Sequence, residues 1–480
     1  MSGRAGLLDP AALGEDLARS ARARSVLGAA GAAQWLRERA AANAFHVERI
    51  PFSKLEGWSF DSVTGNLGHR SGRFFTVEGV SVTTDHGPVR QWSQPILLQP
   101  EIGVLGVLMR RFDGVLHCLV QAKSEPGDPV AVQLSPTVQA TRSNFTKVHG
   151  GSGIPYLEFF LGSEGGTRTV VDVLQSEQGA WFYRKQNRNM VTLTDRDVPV
   201  EPGFRWMSLG EIQRLMTVDH LVNMDLRSVL ACLPYTAGES PPEGGFARAL
   251  DASMRPDAPA ARSLPEVLSW LTDRRARIDI VTRTIPLAQV RGWTRTDEVI
   301  QRDDGRHFRI IAASVSATNR EVRRWSQPLL QPTGRGLVAL FVRRRRGVLH
   351  LLLQARAEAG TTAVAELAPT VQCDEHSYSA LGTAPAFLRE VRELTPGQIR
   401  YDTLQSEEGG RFSDATNRYV IAEMPPGWQE EPPAGFCWVT VHQAAALLRH
   451  GHYLNVQART LIGGLYALWA GGFSPVAVAS

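Results

Sequence analysis

From Val115 to Lys123 the chain alternates, with Leu116, Cys118, Val120 and Ala122 on one face and Val115, His117, Leu119, Gln121 and Lys123 on the other. A period of two predicts a strand. The apolar run at 105–110, ending before Asp113-Gly114, predicts its hairpin partner. The pattern returns at 337–343 and 348–354 with a tip at Arg346-Gly347, and 72–83 and 305–316 are also rich in β-formers. Apolar residues recur at helical spacing over 35–44 and 263–277, the second with Ser263, Pro265 and Glu266 as a capped start. Leu209–Leu215 and 441–449 read as closing helices, so the expected class is α+β.

These elements repeat because the sequence does. Trp92-Ser93-Gln94-Pro95 returns as Trp325-Ser326-Gln327-Pro328, Pro136-Thr137-Val138-Gln139 as Pro369-Thr370-Val371-Gln372, and Leu174-Gln175-Ser176-Glu177 as Leu404-Gln405-Ser406-Glu407. Asn187-Arg188 matches Asn417-Arg418, and Trp58 and Trp206 match Trp293 and Trp438. A tandem duplication is implied. Its expected layout is an N-terminal extension 1–34, a first repeat 35–235, a linker 236–262, a second repeat 263–462 and a tail 463–480, where Gly463 and Gly464 are expected to break the helix.

Composition then narrows the class. The 52 basic and 48 acidic residues leave a net charge of +4, too balanced for a nucleic-acid surface. The four arginines at 343–346 read as a hairpin tip. The four cysteines are widely spaced, and no apolar signal segment or uninterrupted membrane span is recognised, so a cytoplasmic protein is expected. Dinucleotide, phosphate-loop, zinc-protease and nucleophile-elbow motifs are missing, as is a Glu-rich helix that would bind Mg²⁺ for pyrophosphate hydrolysis.

The densest polar segment is Gln175-Ser176-Glu177-Gln178 followed by Arg184, Asn187, Arg188 and Asn189. There Glu177 can act as acid or base and the arginines can pair with phosphate. His117, Gln121 and Lys123 share one strand face, and Thr137 and Gln139 add donors and acceptors. After that motif the halves diverge: Thr141-Arg142-Ser143-Asn144 faces Asp374-Glu375-His376-Ser377. One working pocket and one drifted copy are therefore expected.

Trp-Ser-Gln-Pro, Gly-Val-Leu-His at 114–117, Gln-Ala-Lys at 121–123, Pro-Thr-Val-Gln-Ala-Thr at 136–141, Pro-Tyr-Leu-Glu at 155–158, Leu-Gln-Ser-Glu-Gln-Gly at 174–179 and Asn-Arg-Asn-Met at 187–190 together resemble the NDP-hexose 2,3-dehydratases. The resemblance runs from about residue 35 to 461, in both repeats. It implies a Nudix-like fold in each half (a mixed sheet with flanking helices), a homodimer, no metal or other cofactor, and a dTDP-4-keto-6-deoxy-D-glucose-type substrate. It also implies a 3,4-diketo product that a downstream 3-ketoreductase would take. Glu177 or His117 is the candidate base, and Lys123 or Tyr183 the acid or enolate stabiliser. Gln121, Gln139 and Asn144 are expected on the sugar, and Arg184 and Arg188 on pyrophosphate. Trp92, Gln94, Thr137, Thr141, Tyr156, Gln175, Ser176, Asn187 and Asn189 complete the expected contacts. Trp325, His350, Gln354, Gln372, Gln405, Glu407, Asn417 and Arg418 would form the second pocket. The alternatives are a Nudix-type nucleotide-sugar pyrophosphatase and a non-catalytic nucleotide-sugar binder.

Overall fold

The computed structural model of the chain describes residues 9–23, 31–141, 153–162, 166–237, 244–317, 322–374, 377–378 and 382–471. Each half is built on a seven-stranded mixed sheet. In the first, Thr167–Ser176, Gln186–Thr194, Gly103–Phe112, Val115–Lys123 and Phe204–Ser208 lie side by side, with two short strands appended. Gln186–Thr194 runs parallel to Gly103–Phe112, while its other neighbour is antiparallel. The second sheet repeats this order with Ile399–Ser406, Thr416–Glu423, Gly336–Arg345, Val348–Arg356 and Phe436–Thr440. Both hairpin tips turn through two left-handed residues, φ being 48° and 78° at Asp113 and Gly114 and 51° and 79° at Arg346 and Gly347. That geometry matches the right-handed twist of the flanking strands.

The alternation in Val115–Lys123 resolves as expected. Leu116, Cys118 and Val120 enter a core that also takes Leu349, Leu351 and Leu353 from the second sheet, whereas Leu119 packs with Trp206 on the opposite face. The two halves therefore share one interior. Helices Leu209–Leu215, Met224–Ala231, Val441–Leu448 and Val456–Gly471 fill the space between the sheets.

A second pair of sheets exchanges strands. Phe45–Ile50 leaves the first half to pair antiparallel with Phe308–Ala317, and Ile280–Ile285 returns to pair with Thr76–Thr84. The repeated tryptophans secure this exchange. Trp58 Nε1 donates to Ser326 O at 2.9 Å and Trp293 Nε1 to Ser93 O at 3.2 Å, so each indole reaches the Trp-Ser-Gln-Pro segment of the other half.

Three boundaries differ from expectation. The segment 236–262, read as a linker from its Pro, Gly and Ser content, contains helix Gly245–Ser253, whose Phe246, Ala249 and Leu250 are buried. It is the second copy of Pro10–Arg22. Ser20 Oγ and Ser253 Oγ donate to the equivalent carbonyls of Leu116 and Leu349, and accept from the amides of Leu209 and Val441. The repeat thus begins well before residue 35. At the other end, helix Val456–Gly471 continues through Gly463 and Gly464. A methyl at Gly464 would meet Ile421 and Tyr401 at 3.4 Å, an ordinary packing distance, and the helix runs on through both glycines.

Gly127 and Gly360 mark the closest contacts between halves. Gly127 N donates to Gly409 O at 2.8 Å and Gly360 N to Gly179 O at 2.7 Å. A methyl group on either would lie 1.7 Å from the carbonyl oxygen of Phe412 or Phe182. Gly360→Ala is expected to destabilise the protein by about 2–3 kcal/mol in denaturant unfolding, since backbone must move to admit the methyl. Gly397→Ala, with open space around it, should stay within about 0.5 kcal/mol.

Candidate active site

The site grows from the end of the first mixed sheet where Lys123, Gln139 and Asn187 come together. Gly103 pairs with Asn187 and Leu105 with Gln139. Asn187 Nδ2 donates to Glu177 Oε1 at 2.7 Å while its Oδ1 accepts from Gly103 N at 3.1 Å, which fixes the carboxyl's orientation. Lys123 Nζ lies 3.2 Å from Glu125 Oε1, to which Gln139 Nε2 also donates at 3.1 Å. Gln139 Oε1 accepts from Ser135 and Asn223, completing a polar network.

The second half packs over this network. Its Glu407-Glu408-Gly409-Gly410 turn packs against the Glu125-Pro126-Gly127-Asp128 turn. A methyl placed on Gly410 would lie 2.4 Å from Glu408 Oε1 and 3.4 Å from Glu125 Oε1, so the two carboxyls are neighbours. Among the described residues, Glu177 Oε2, Asp225 Oδ1 and Glu408 Oε2 are buried without a hydrogen-bond partner. Burial, with Glu125 nearby, pushes Glu408 up to about 7. Burial also raises Glu177, against the pull of Arg459, and raises Asp225 well above the usual carboxylate range, with Glu177 adding to the effect. Lys185 is lowered to about 8 by burial. This is a group of acids able to hold and pass protons near neutrality.

The copy in the second half is chemically quieter. Glu407 accepts from Gln178 Nε2 at 2.6 Å, Asn417 Nδ2 at 2.5 Å and Tyr419 OH at 2.7 Å, so both of its oxygens are occupied. The positions of Asp225, Glu408 and Lys185 are taken by Gln457, Gln178 and Ala415. Arg356 and Gln372 both bond Glu358, and Gln354 donates to Pro369 O. A cleft of about 1590 Å³ opens here, lined by Trp92, Gln178 and Trp293 as well as Arg356, Gln372 and Asn417, so residues of both halves form its wall. The lining of this cleft does not include Glu177, Asp225 or Glu408, and Glu366 Oε1 is likewise buried without a hydrogen bond.

Several of the expected contact residues hold protein groups in this structure. His117 is fully buried with Nδ1 3.0 Å from Val115 O, at the opposite end of its strand from Lys123. The six-residue separation puts His117 about 20 Å from Lys123 along the strand, and its Nε2 is buried without a hydrogen bond. His350 bonds Val348 O and accepts from Ala261 N. Arg188, expected on pyrophosphate, pairs bidentately with Asp172 at 2.7 Å, as Arg418 does with Asp402. Arg184 stacks over Tyr183, which packs beside Trp92. Trp92 Nε1 donates to Gln94 Oε1, whose amide donates to Ala180 O, and Trp325 and Gln327 brace Gly410 O likewise.

Thr137 Oγ1 accepts from Leu108 N at 2.9 Å and donates to Leu119 O, a strand bridge that Thr370 repeats. Tyr156 OH is bound between Pro199 O and Glu201 N. Gln175 and Gln405 cross to Leu448 O and Met216 O, Ser176 reaches Glu366, and Asn189 holds Ser228. Gln121 follows Leu119 into the pocket end of its strand opposite Ser135. Thr141 closes the described part of its segment, and Asn144 lies outside the described residues.

Glu125, Asp225, Lys185 and Glu408 were not among the expected residues. Glu125 was legible, since Glu-x-Gly recurs at Glu358-Ala359-Gly360. Glu408 was noted only as a departure in the second half, because sequence does not show that its loop crosses over.

A family model described as NDP-hexose 2,3-dehydratase matches residues 29–233 and 264–465. The chain belongs to the NDP-hexose 2,3-dehydratase family. The two matched segments fit a tandem duplication, and membership makes the chain a dehydratase, a carbon–oxygen lyase. It is 48% identical over 449 residues to a dTDP-4-dehydro-6-deoxy-alpha-D-glucopyranose 2,3-dehydratase of Saccharopolyspora spinosa, covering 91% of both chains. Proteins of the same name from Amycolatopsis orientalis and Streptomyces violaceoruber are 48% and 44% identical, covering 90% of this chain and 89% and 96% of theirs. A solved ADP compounds hydrolase overlays with a TM-score of 0.18 at 19% identity, covering 28% of this chain and 69% of that one. Among the described residues no helix is long and apolar enough to cross a membrane.

The raised Glu408 makes stability depend on pH. The unfolded chain ionises it near 4.5 while the folded protein keeps the proton to about 7. Its stabilising share is thus complete below 4.5 and lost as pH rises through 7. In thermal melts, Glu408→Gln should match the native protein at pH 4.5 and melt higher at pH 8.5.

Proposed function

We propose that this dehydratase removes water across C2 and C3 of dTDP-4-keto-6-deoxy-D-glucose in 2,6-dideoxysugar biosynthesis, and that the first-half pocket does so. The substrate follows from relatives 44–48% identical over about nine-tenths of the chain. The observation that carries the site is the buried Glu177 carboxyl, held on one oxygen by Asn187 and bare on the other, against the saturated Glu407.

The C4 ketone acidifies the C3 proton, which Glu177 removes to leave an enolate. Lys123, beside Glu125, stabilises the charge at O4. Expulsion of the C2 hydroxyl then forms the C2=C3 bond and restores the C4 carbonyl, and the resulting enol tautomerises to the 3,4-diketo sugar. Positioned acid–base help of this kind contributes about 10²- to 10⁴-fold. Each half is read as a Nudix-like unit, which its mixed sheet with flanking helices supports. A homodimer in the cytoplasm, feeding a 3-ketoreductase, completes the reading.

Incubation with dTDP-4-keto-6-deoxy-D-glucose should consume the substrate and release maltol from the diketo sugar. Nucleoside monophosphate release with Mg²⁺ would instead support the pyrophosphatase, and binding without turnover the non-catalytic protein. Glu177→Gln should abolish turnover while Glu407→Gln keeps most of it per folded molecule; equal losses would overturn the single-site assignment.

A further inference from the structure

Resting on the dehydratase reading above, we infer that Glu408, brought by the second half to the carboxyl cluster of the first, is the acid that protonates the departing C2 hydroxyl. The turn carrying it is held in place by both halves. Gly127 N donates to Gly409 O, Asp414 N donates to Gly127 O, and Arg411 Nε donates to Gln99 Oε1 at 3.1 Å. Glu408 Oε2 is buried and bare, as are Glu177 Oε2 and Asp225 Oδ1.

The charged groups acting on Glu408 come from every element around it: Glu125 and Lys123 from the hairpin end, Arg411 from its own loop, and Glu177 across the sheet. Asp225, from the helix start at Asn223, feels Glu177, Glu408, Glu125 and Lys123 in turn. Burial is the main cause that keeps a proton on Glu408 near neutrality, and Glu125 and Glu177 add to it against the pull of Arg411 and Lys123. Lys123 is instead engaged with Glu125 and Tyr183 packs with Trp92 and Ile280, so neither is the better donor. At the equivalent place in the second half stands Gln178, an amide with no acidic proton to give.

The step balances without a co-reactant. Glu177 takes the C3 proton, and the C3–H electron pair becomes the enolate. When the enolate collapses, the C2–O bond breaks and Glu408 gives its proton to the leaving oxygen, so water departs. The proton on Glu177 then returns to Glu408 through the same carboxyl cluster, and the enol exchanges its O3 proton for one at C2.

Separating the two proton transfers tests this. In D₂O with dTDP-4-keto-6-deoxy-D-glucose, Glu408→Gln should lower kcat by about 10²- to 10⁴-fold with KM nearly unchanged, while recovered substrate still gains deuterium at C3. Glu177→Gln should lose both. Turnover within threefold of native in Glu408→Gln would overturn the assignment. So would loss of C3 exchange in a Glu408→Gln protein that melts as a folded protein. If native protein neither exchanges C3 nor consumes substrate, the dehydratase reading itself fails and this assignment with it.

Discussion

Two buried guanidinium groups hold the molecule together. Arg227 is 1% exposed and Arg459 0%, and each extends from its own half into the other. Arg227 donates to Ser406 O at 2.6 Å and to Gln405 Oε1 at 3.2 Å. Arg459 donates to Ser176 O at 2.6 Å, to Leu454 O at 2.9 Å and to Ser228 Oγ at 2.8 Å. Those serine carbonyls end strands just where the chain leaves the sheet ladder, and a buried carbonyl without a donor is costly. The planar fork of an arginine, with five donors, satisfies several such groups at once, which a lysine cannot do. A buried charge without partners would be strongly destabilising, so the halves are obliged to stay docked.

The site inherits that constraint. Arg459 approaches the carbonyl of Ser176, one residue before Glu177, and its charge opposes the effect of burial on that carboxyl. The duplication therefore does more than double the fold: each pocket is walled by the partner half. Gln178 and Glu408 occupy equivalent positions in the repeat, so one cluster gains a carboxyl where the other copy has an amide. Bare carboxyl oxygens in the first pocket cost stability relative to the saturated Glu407 network. Retaining such a cost is what chemistry with protons requires.

The hairpins, the closing helices and the capped start at Ser263 could be read from periodicity and turn chemistry, because those are local properties. The duplication was equally legible, as was Glu177 within its repeated motif. Other motif residues were visible as repeated but not in their roles. The Gln of Trp-Ser-Gln-Pro and the Thr of Pro-Thr-Val-Gln bind backbone groups, and a repeated polar residue looks the same in sequence whether it meets a carbonyl or a sugar. His117 and Lys123 share a strand face by phase, yet phase says nothing of the 20 Å that lies between them at strand spacing. The helix within 236–262 was hidden because Pro, Gly and Ser on both sides masked its short apolar stripe.

By itself, then, the sequence determined a duplicated α+β chain, the motifs that place it in its family, and one carboxylate with the neighbours that orient it. Only the tertiary structure decided that strands and loops are exchanged between the copies, and hence that Glu408 belongs with Lys123, Glu125 and Asp225. Local periodicity follows from how each side chain meets its immediate backbone. Which copy a loop leans against is set by packing between residues more than 200 positions apart, and no local pattern records that.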